Sequence, residues 1–242
     1  MHLKVFFVLC VLGATYAQSS VNVDVYYESL CPDSRKFINT QLYPALQNSL
    51  KKSVHLNLIP YGKSKRQTRG SDVEFECHHG PNECYGNKVH ACALNHIQVD
   101  SFQQRHDRES LILTYINCLM ENSNLNPSNV FPTQLCAQRT GVQQYESIVN
   151  CANGTEGSSL LAAHGEKTDK LSPPLTSVPT IVFDNQYERS LQTLAETNFV
   201  MAVCKKLGAP RPQECPQINS APITTVATLT GVLMSVAAAV ML

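Results

Sequence analysis

The sequence predicts an α/β fold whose two halves are separated by a disulfide-rich helical insertion. A strand-like alternation beginning at Val21 runs straight into a cysteine-bearing turn and a helical pattern. A cysteine-dense stretch, loop-rich to about Asn95 and with helical patterns beyond it, then occupies residues 61–172. Finally, a proline-opened apolar run at Thr180 leads into a last amphipathic helix.

Val21, Val23 and Val25 alternate with Asn22, Asp24 and Tyr26, the period of two that marks a strand. The chain continues through Glu28-Ser29-Leu30-Cys31-Pro32-Asp33-Ser34, after which Phe37, Ile38, Leu42 and Leu46 recur at helical spacing. Pro32 suits the first helical position, where its missing N–H costs nothing. Val54, Leu56 and Leu58 alternate again and stop at Pro60, completing a β-α-β start. Tyr61 to about Asn95 reads as loop. Phe102, Leu111, Leu113 and Cys118 predict a helix between Asp100 and Met120, and shorter helices follow at Pro132–Arg139, Tyr145–Ala152 and Ser158–Lys170. Thr180–Phe183 is a strand opened by Val178-Pro179, with Asp184-Asn185-Gln186 as a hairpin turn. Ser190–Leu207 reads as one helix ended by Gly208. Strand, cysteine turn, helix, strand, helical insertion, proline-opened hairpin and helix is the order of a thioredoxin-like fold.

Both ends carry targeting patterns. Residues 1–17 form a signal peptide: a basic start at Met1–Lys4, an apolar run over Val5–Gly13, and Thr15-Tyr16-Ala17 before a cut at Gln18. The domain then spans 18–218. Residues 219–242 form an apolar tail, uncharged from Val226 onward, with small residues at Asn219-Ser220-Ala221. A lipid-anchor signal, a membrane-spanning anchor and a soluble end are the three readings of that tail. The expected location is the secretory pathway, extracellular or lysosomal, with membrane attachment through the tail an open alternative. A formal net charge of zero gives no electrostatic footprint for nucleic acid.

Of ten cysteines, Cys10 leaves with the signal peptide, so nine remain. An odd number in an oxidising compartment leaves at least one thiol over. Cys31 sits alone, whereas Cys77, Cys84, Cys92, Cys118, Cys136, Cys151, Cys204 and Cys215 lie downstream. Four bridges and a free Cys31 is the simplest sum. Cys204 and Cys215 suit a short C-terminal loop, while the other six leave many pairings open. Each bridge contributes about 2–4 kcal/mol by restricting the unfolded chain.

A cysteine at the start of a helix is primed, because unpaired N–H groups and the helix dipole favour the thiolate. Arg35 and Lys36 would add to that effect and Asp33 would oppose it. The competing reading of Cys31 is a structural half-cystine. In a thioredoxin-like fold a cis proline faces the nucleophilic cysteine. Pro179 is the candidate, although X-Pro bonds are otherwise mostly trans.

The most specific signal is the run Cys77-His78-His79-Gly80-Pro81-Asn82-Glu83-Cys84-Tyr85-Gly86-Asn87-Lys88-Val89-His90-Ala91-Cys92. It resembles the signature of the gamma-interferon-inducible lysosomal thiol reductase family. Cys77, His79, Gly80, Glu83, Cys84, Asn87 and Cys92 match, and His78 stands where the family has Gln. The resemblance extends from about Val21 to Cys215. A zinc reading of these cysteines with His78, His79 and His90 meets the wrong spacing, since compact zinc sites hold their paired cysteines closer together. No metal is expected.

The resemblance implies a Cys-x-x-Cys active site, and here that site is Cys31-Pro32-Asp33-Ser34. In the two-cysteine mechanism the first thiolate forms a mixed disulfide with the substrate, and the second thiol resolves it. Ser34 stands in the resolving position, and a hydroxyl cannot form a disulfide. Release then falls to a thiol of the substrate or to a small thiol such as cysteine or glutathione, the only co-reductant expected. Ser34 retains the capacity to hydrogen-bond the Cys31 thiolate. Asn153-Gly154-Thr155 is a glycosylation sequon, whereas Asn126-Pro127-Ser128 is excluded by its proline.

Two functions follow. One is a thiol–disulfide exchanger acting on disulfide-containing protein substrates through Cys31, weak as a reductase. The other is a non-catalytic secreted or surface protein that keeps the fold and engages a partner protein.

Overall fold

The computed structural model describes residues 19–70, 72–99, 107–123, 131–209 and 211–216. The signal peptide, the apolar tail, Phe102 and the excluded sequon lie outside them. No helix among the described residues is long and apolar enough to cross a membrane.

Strand β1 (Val21–Tyr27) is the central strand of a three-stranded sheet. It pairs in parallel with β2 (Val54–Pro60), from Val21 opposite Val54 to Tyr27 opposite Pro60. It pairs antiparallel with β5 (Thr180–Phe183), from Val23 opposite Phe183 to Tyr26 opposite Thr180. Both faces of its C-terminal half are covered, as a central strand requires. Val21, Val23, Val25 and Tyr27 enter the main core, whereas Tyr26 packs with Ile59 and Val182 on the opposite face. Burying each such valine contributes about 1.5–3 kcal/mol. The parallel β1–β2 unit with an antiparallel third strand is thioredoxin-like.

Between β1 and β2 runs a helix in three parts: α1 (Pro32–Phe37), a π-helical turn (Ile38–Leu42) and α2 (Tyr43–Ala45). Phe37, Ile38, Leu42, Ala45 and Leu46 face the core. The connection from β2 to β5 holds a hairpin of β3 (Lys65–Arg69) and β4 (Asp72–Glu76), then α3 (Pro81–His96), α4 (Arg108–Asn122), α5 (Thr133–Thr140), α6 (Tyr145–Asn153) and α7 (Thr155–Asp169). Asp107 caps α4 by accepting the Ser110 N–H at 2.8 Å.

Three sequence expectations are corrected. The stretch expected to be loop carries the β3–β4 hairpin and the sixteen-residue helix α3. Its buried face mixes polar Glu83, Asn87 and His90 with Val89, Ala91, Cys92 and Ala93, so no clean apolar stripe announces it. The last helix is two, α8 (Arg189–Thr197) and α9 (Phe199–Lys206). Asn198 breaks them apart, since its side chain accepts the Met201 N–H at 3.0 Å and so caps α9. The hairpin after β5 is reduced to one bridge, Phe183 to Gln186, across Asp184 and Asn185 at positive φ.

Four disulfides tie the helices together. Cys92–Cys151 joins α3 to α6, Cys118–Cys136 joins α4 to α5, Cys77–Cys84 closes the turn into α3, and Cys204–Cys215 anchors the segment after α9. Among the described residues, Cys31 is the free cysteine.

Candidate active site

Cys31 sits at the junction of β1 and α1 with extended dihedrals (φ −62°, ψ 123°), and Pro32 opens the helix. Its carbonyl accepts the Arg35 N–H at 3.0 Å, closing the first turn. The residue is 6% exposed. Its sulfur lies 4.0 Å from the Val178 carbonyl oxygen, and the Val178–Pro179 bond that follows is cis. A groove of about 390 Å³ opens alongside, with Asp33, Lys36, Phe37, Val178, Pro179 and Glu196 among its walls.

Ser34 is fully buried one helical turn below Cys31, and its hydroxyl oxygen accepts the Glu28 N–H at 3.3 Å. It thereby ties the helix to the loop before Cys31. Arg35, expected to assist the thiolate, instead donates its Nε–H to the Met120 carbonyl at 2.7 Å and an Nη2–H to that of Glu121 at 3.5 Å. The carbonyls ending α4 have no helical partners of their own, so they draw the guanidinium away.

The loop Glu28-Ser29-Leu30 rests on α3. The Asn87 Oδ1 accepts the Ser29 N–H at 2.9 Å, and the Ser29 hydroxyl donates to the Glu83 carbonyl at 3.2 Å. Asn87 also donates to Ser64 at 3.4 Å. Gly86 permits the close approach, because a Cβ there would meet Phe131 and the Ser29 hydroxyl at 2.5 Å. Gly80, at φ 84°, makes the left-handed turn that starts α3 and brings His79 back over the loop.

There His79 meets two fully buried carboxylates. Its N–H donates to Glu83 Oε1 at 2.9 Å, and its Nδ1 lies 2.6 Å from Glu83 Oε2 and 3.5 Å from Glu28 Oε2. Glu28 also accepts the Lys63 N–H at 2.7 Å and has His78 Nδ1 at 3.4 Å. Burial raises the Glu83 pKa and the nearby Glu28 charge adds to the rise, against the bonds from His79 that lower it. One atom each from Glu28, Cys31 and His79 lie within 4.8 Å of one another. Glu28 Oε1 is taken up by the Lys63 N–H and His79 Nδ1 by Glu83 Oε2, so both side chains of this group are already engaged in hydrogen bonds.

The sequence matches the family described as gamma interferon inducible lysosomal thiol reductase over residues 22–140. It is 48% identical over 226 residues to the Drosophila melanogaster "GILT-like protein 1", covering 93% of this chain and 90% of that one. It is 52% identical over 218 residues to a "Gamma-interferon-inducible lysosomal thiol reductase-like protein" of Anopheles gambiae, covering 90% and 87%. The chain belongs to the gamma-interferon-inducible lysosomal thiol reductase family. Among solved structures it is similar to Chlamydia trachomatis DsbA, with a TM-score of 0.48 and 15% identity over 70% of this chain and 79% of that one.

The family signature now has a physical content. Asn87 and Glu83 hold the loop carrying Cys31, Gly80 turns the chain into α3, and a ring nitrogen of His79 lies within 4.8 Å of the Cys31 sulfur. Cys77, Cys84 and Cys92 are consumed in disulfides, which removes them as metal-binding thiolates. His90 points elsewhere, sharing a 2.9 Å hydrogen bond with the Tyr27 hydroxyl in the core. Asn153 is exposed at the end of α6, directly before α7, so the sequon occupies a helix–helix corner. Glu28, Ser29, Gly62, Ser64 and Gly86 were not singled out from sequence. No motif signals them, because each acts through a contact with a distant segment.

Proposed function

We propose that this family member is a thiol–disulfide exchanger with Cys31 as its sole nucleophile, acting on disulfide-bonded proteins in the secretory pathway. The observation that supports it is the pairing of every other described cysteine while Cys31 alone is free beside cis Pro179. The Cys31 thiolate attacks one sulfur of a substrate disulfide. A mixed disulfide forms, and the other substrate sulfur leaves as a thiolate and takes a proton. Ser34 cannot resolve that bond, so a second thiol, from the substrate or from cysteine or glutathione, attacks it. Attack by a substrate thiol on the substrate sulfur regenerates Cys31 and leaves the substrate isomerised. Attack by a small thiol on the Cys31 sulfur frees the reduced substrate, and a second small thiol then regenerates Cys31 and departs as the small-molecule disulfide. Pro179 and the adjoining groove shape the approach of an extended substrate. A lysosomal or extracellular site of action, removal of residues 1–17, a lipid-anchored tail and a glycan on Asn153 belong to the same reading.

A second reading, a partner-binding protein that has left catalysis, is favoured by the near-complete burial of Cys31. Reduction of a disulfide-bonded protein at acidic and neutral pH with a small thiol separates the two. Turnover by the natural chain that vanishes in Cys31→Ser supports exchange. Turnover confined to Ser34→Cys overturns it and leaves the binding reading.

A further inference from the structure

We infer that His79, braced by Glu83 and Glu28, is the proton-exchange partner of Cys31, an inference that rests on the exchange reading above. A ring nitrogen of His79, a Glu28 oxygen and the Cys31 sulfur lie within 4.8 Å of one another, although His79 and Cys31 are far apart in sequence. The imidazole is not loosely placed. Gly80 turns the chain at positive φ behind it, the Cys77–Cys84 disulfide closes the same turn, and Glu83 holds both its backbone N–H and its Nδ1. Glu83 and Glu28 are 0% exposed, so bulk water does not compete for their contacts with the imidazole.

The chemistry needs such a group. The Cys31 thiol must lose a proton before attack, and the leaving sulfur must gain one. In the first half-step Cys31 S–H gives its proton to the imidazole, producing a thiolate and an imidazolium whose charge the carboxylates balance. The thiolate then forms the new S–S bond as the substrate bond breaks, and the departing thiolate takes the proton from the imidazolium. Atoms and charge balance without an added oxidant or reductant. The same pair runs the other way when a small thiol attacks the mixed disulfide. His79 thus acts on Cys31 as an acid–base partner, and the carboxylates act as positioning groups.

The ionisable groups facing His79 are Glu28 from the β1–α1 loop, Glu83 from α3, the adjoining His78 with Lys63 at 3.4 Å from it, and Cys31. The test is the pH profile of Cys31 alkylation by iodoacetamide, mapped to that residue by mass spectrometry in the full chain. In His79→Gln, which keeps a polar side chain but cannot titrate, the midpoint is expected to rise by about one pH unit. The rate at pH 6 is expected to fall about tenfold. A profile that superimposes on the natural one overturns the inference.

A second measurement avoids any folding defect at His79. The imidazole titration of His79, followed by NMR, is expected to move between the natural chain and Cys31→Ser, because coupled groups titrate together. Identical titrations overturn the inference. Alkylation does not require turnover, so a shifted profile in a chain that exchanges no disulfides keeps the proton role and rejects the exchange reading. Exchange activity with an unshifted profile does the reverse.

Discussion

Asn87 accepts the backbone N–H of Ser29 at 2.9 Å, so a residue of α3 fixes the loop that delivers Cys31. Both groups are buried, and the Asn87 amide also donates to Ser64. Asn87→Ala leaves the Ser29 N–H and the Ser64 hydroxyl without these partners. The expected cost is about 1–3 kcal/mol of unfolding free energy by chemical denaturation. A changed Cys31 alkylation rate should accompany it. Unaltered stability and reactivity would show that the bond positions nothing.

Gly62 lies at φ 58°, and a Cβ on it would collide with the Glu28 side chain. The turn it makes delivers the Lys63 N–H to Glu28 Oε1. Gly62→Ala therefore meets an unfavourable backbone conformation and displaces the buried carboxylate. A loss of about 1–3 kcal/mol is expected from the backbone alone. Thermal unfolding of the variant checks it, and an unchanged midpoint is the adverse result.

The disulfides separate stability from chemistry. Cys92–Cys151 closes a span of 59 residues and Cys77–Cys84 a span of 7. Loop-closure entropy assigns about 4 kcal/mol to the first and about 2.5 kcal/mol to the second. Replacing each pair by alanine is expected to follow that order in denaturant unfolding. Loss of Cys77–Cys84 is expected to alter Cys31 reactivity more, since that bridge frames His79.

His90 makes the fold sensitive to acid. Burial lowers its pKa to about 3, from 6.5 for the exposed group. Between those values the unfolded chain binds a proton that the folded chain refuses, so stability falls as pH falls through that window. The slope from this residue is about 1.4 kcal/mol per pH unit. His90→Gln removes it, and its stability should decline less than that of the natural chain between pH 6 and pH 4. Parallel declines would assign the acid sensitivity elsewhere.

Much of the scaffold was legible because its cause is local. Val21, Val23 and Val25 recur at every second position because those positions share one face of the sheet, and Pro32 marks the helix start by its own backbone chemistry. Helix α3 was hidden because Glu83, Asn87 and His90 interrupt the apolar period of its inward face. The split at Asn198 was hidden because Leu194 and Phe199 continue an apolar series across a residue whose side chain prefers to cap.

The sequence by itself determined the family and the serine three residues after Cys31, since each is a matter of residue identity at a given spacing. Only the tertiary structure decided which cysteines pair, that Arg35 serves the end of α4, and that His79 and Glu28 converge on the Cys31 sulfur. Those outcomes depend on packing between segments far apart in the chain. A buried donor or charge takes the partner that the assembled fold sets beside it, and local sequence does not encode that neighbour.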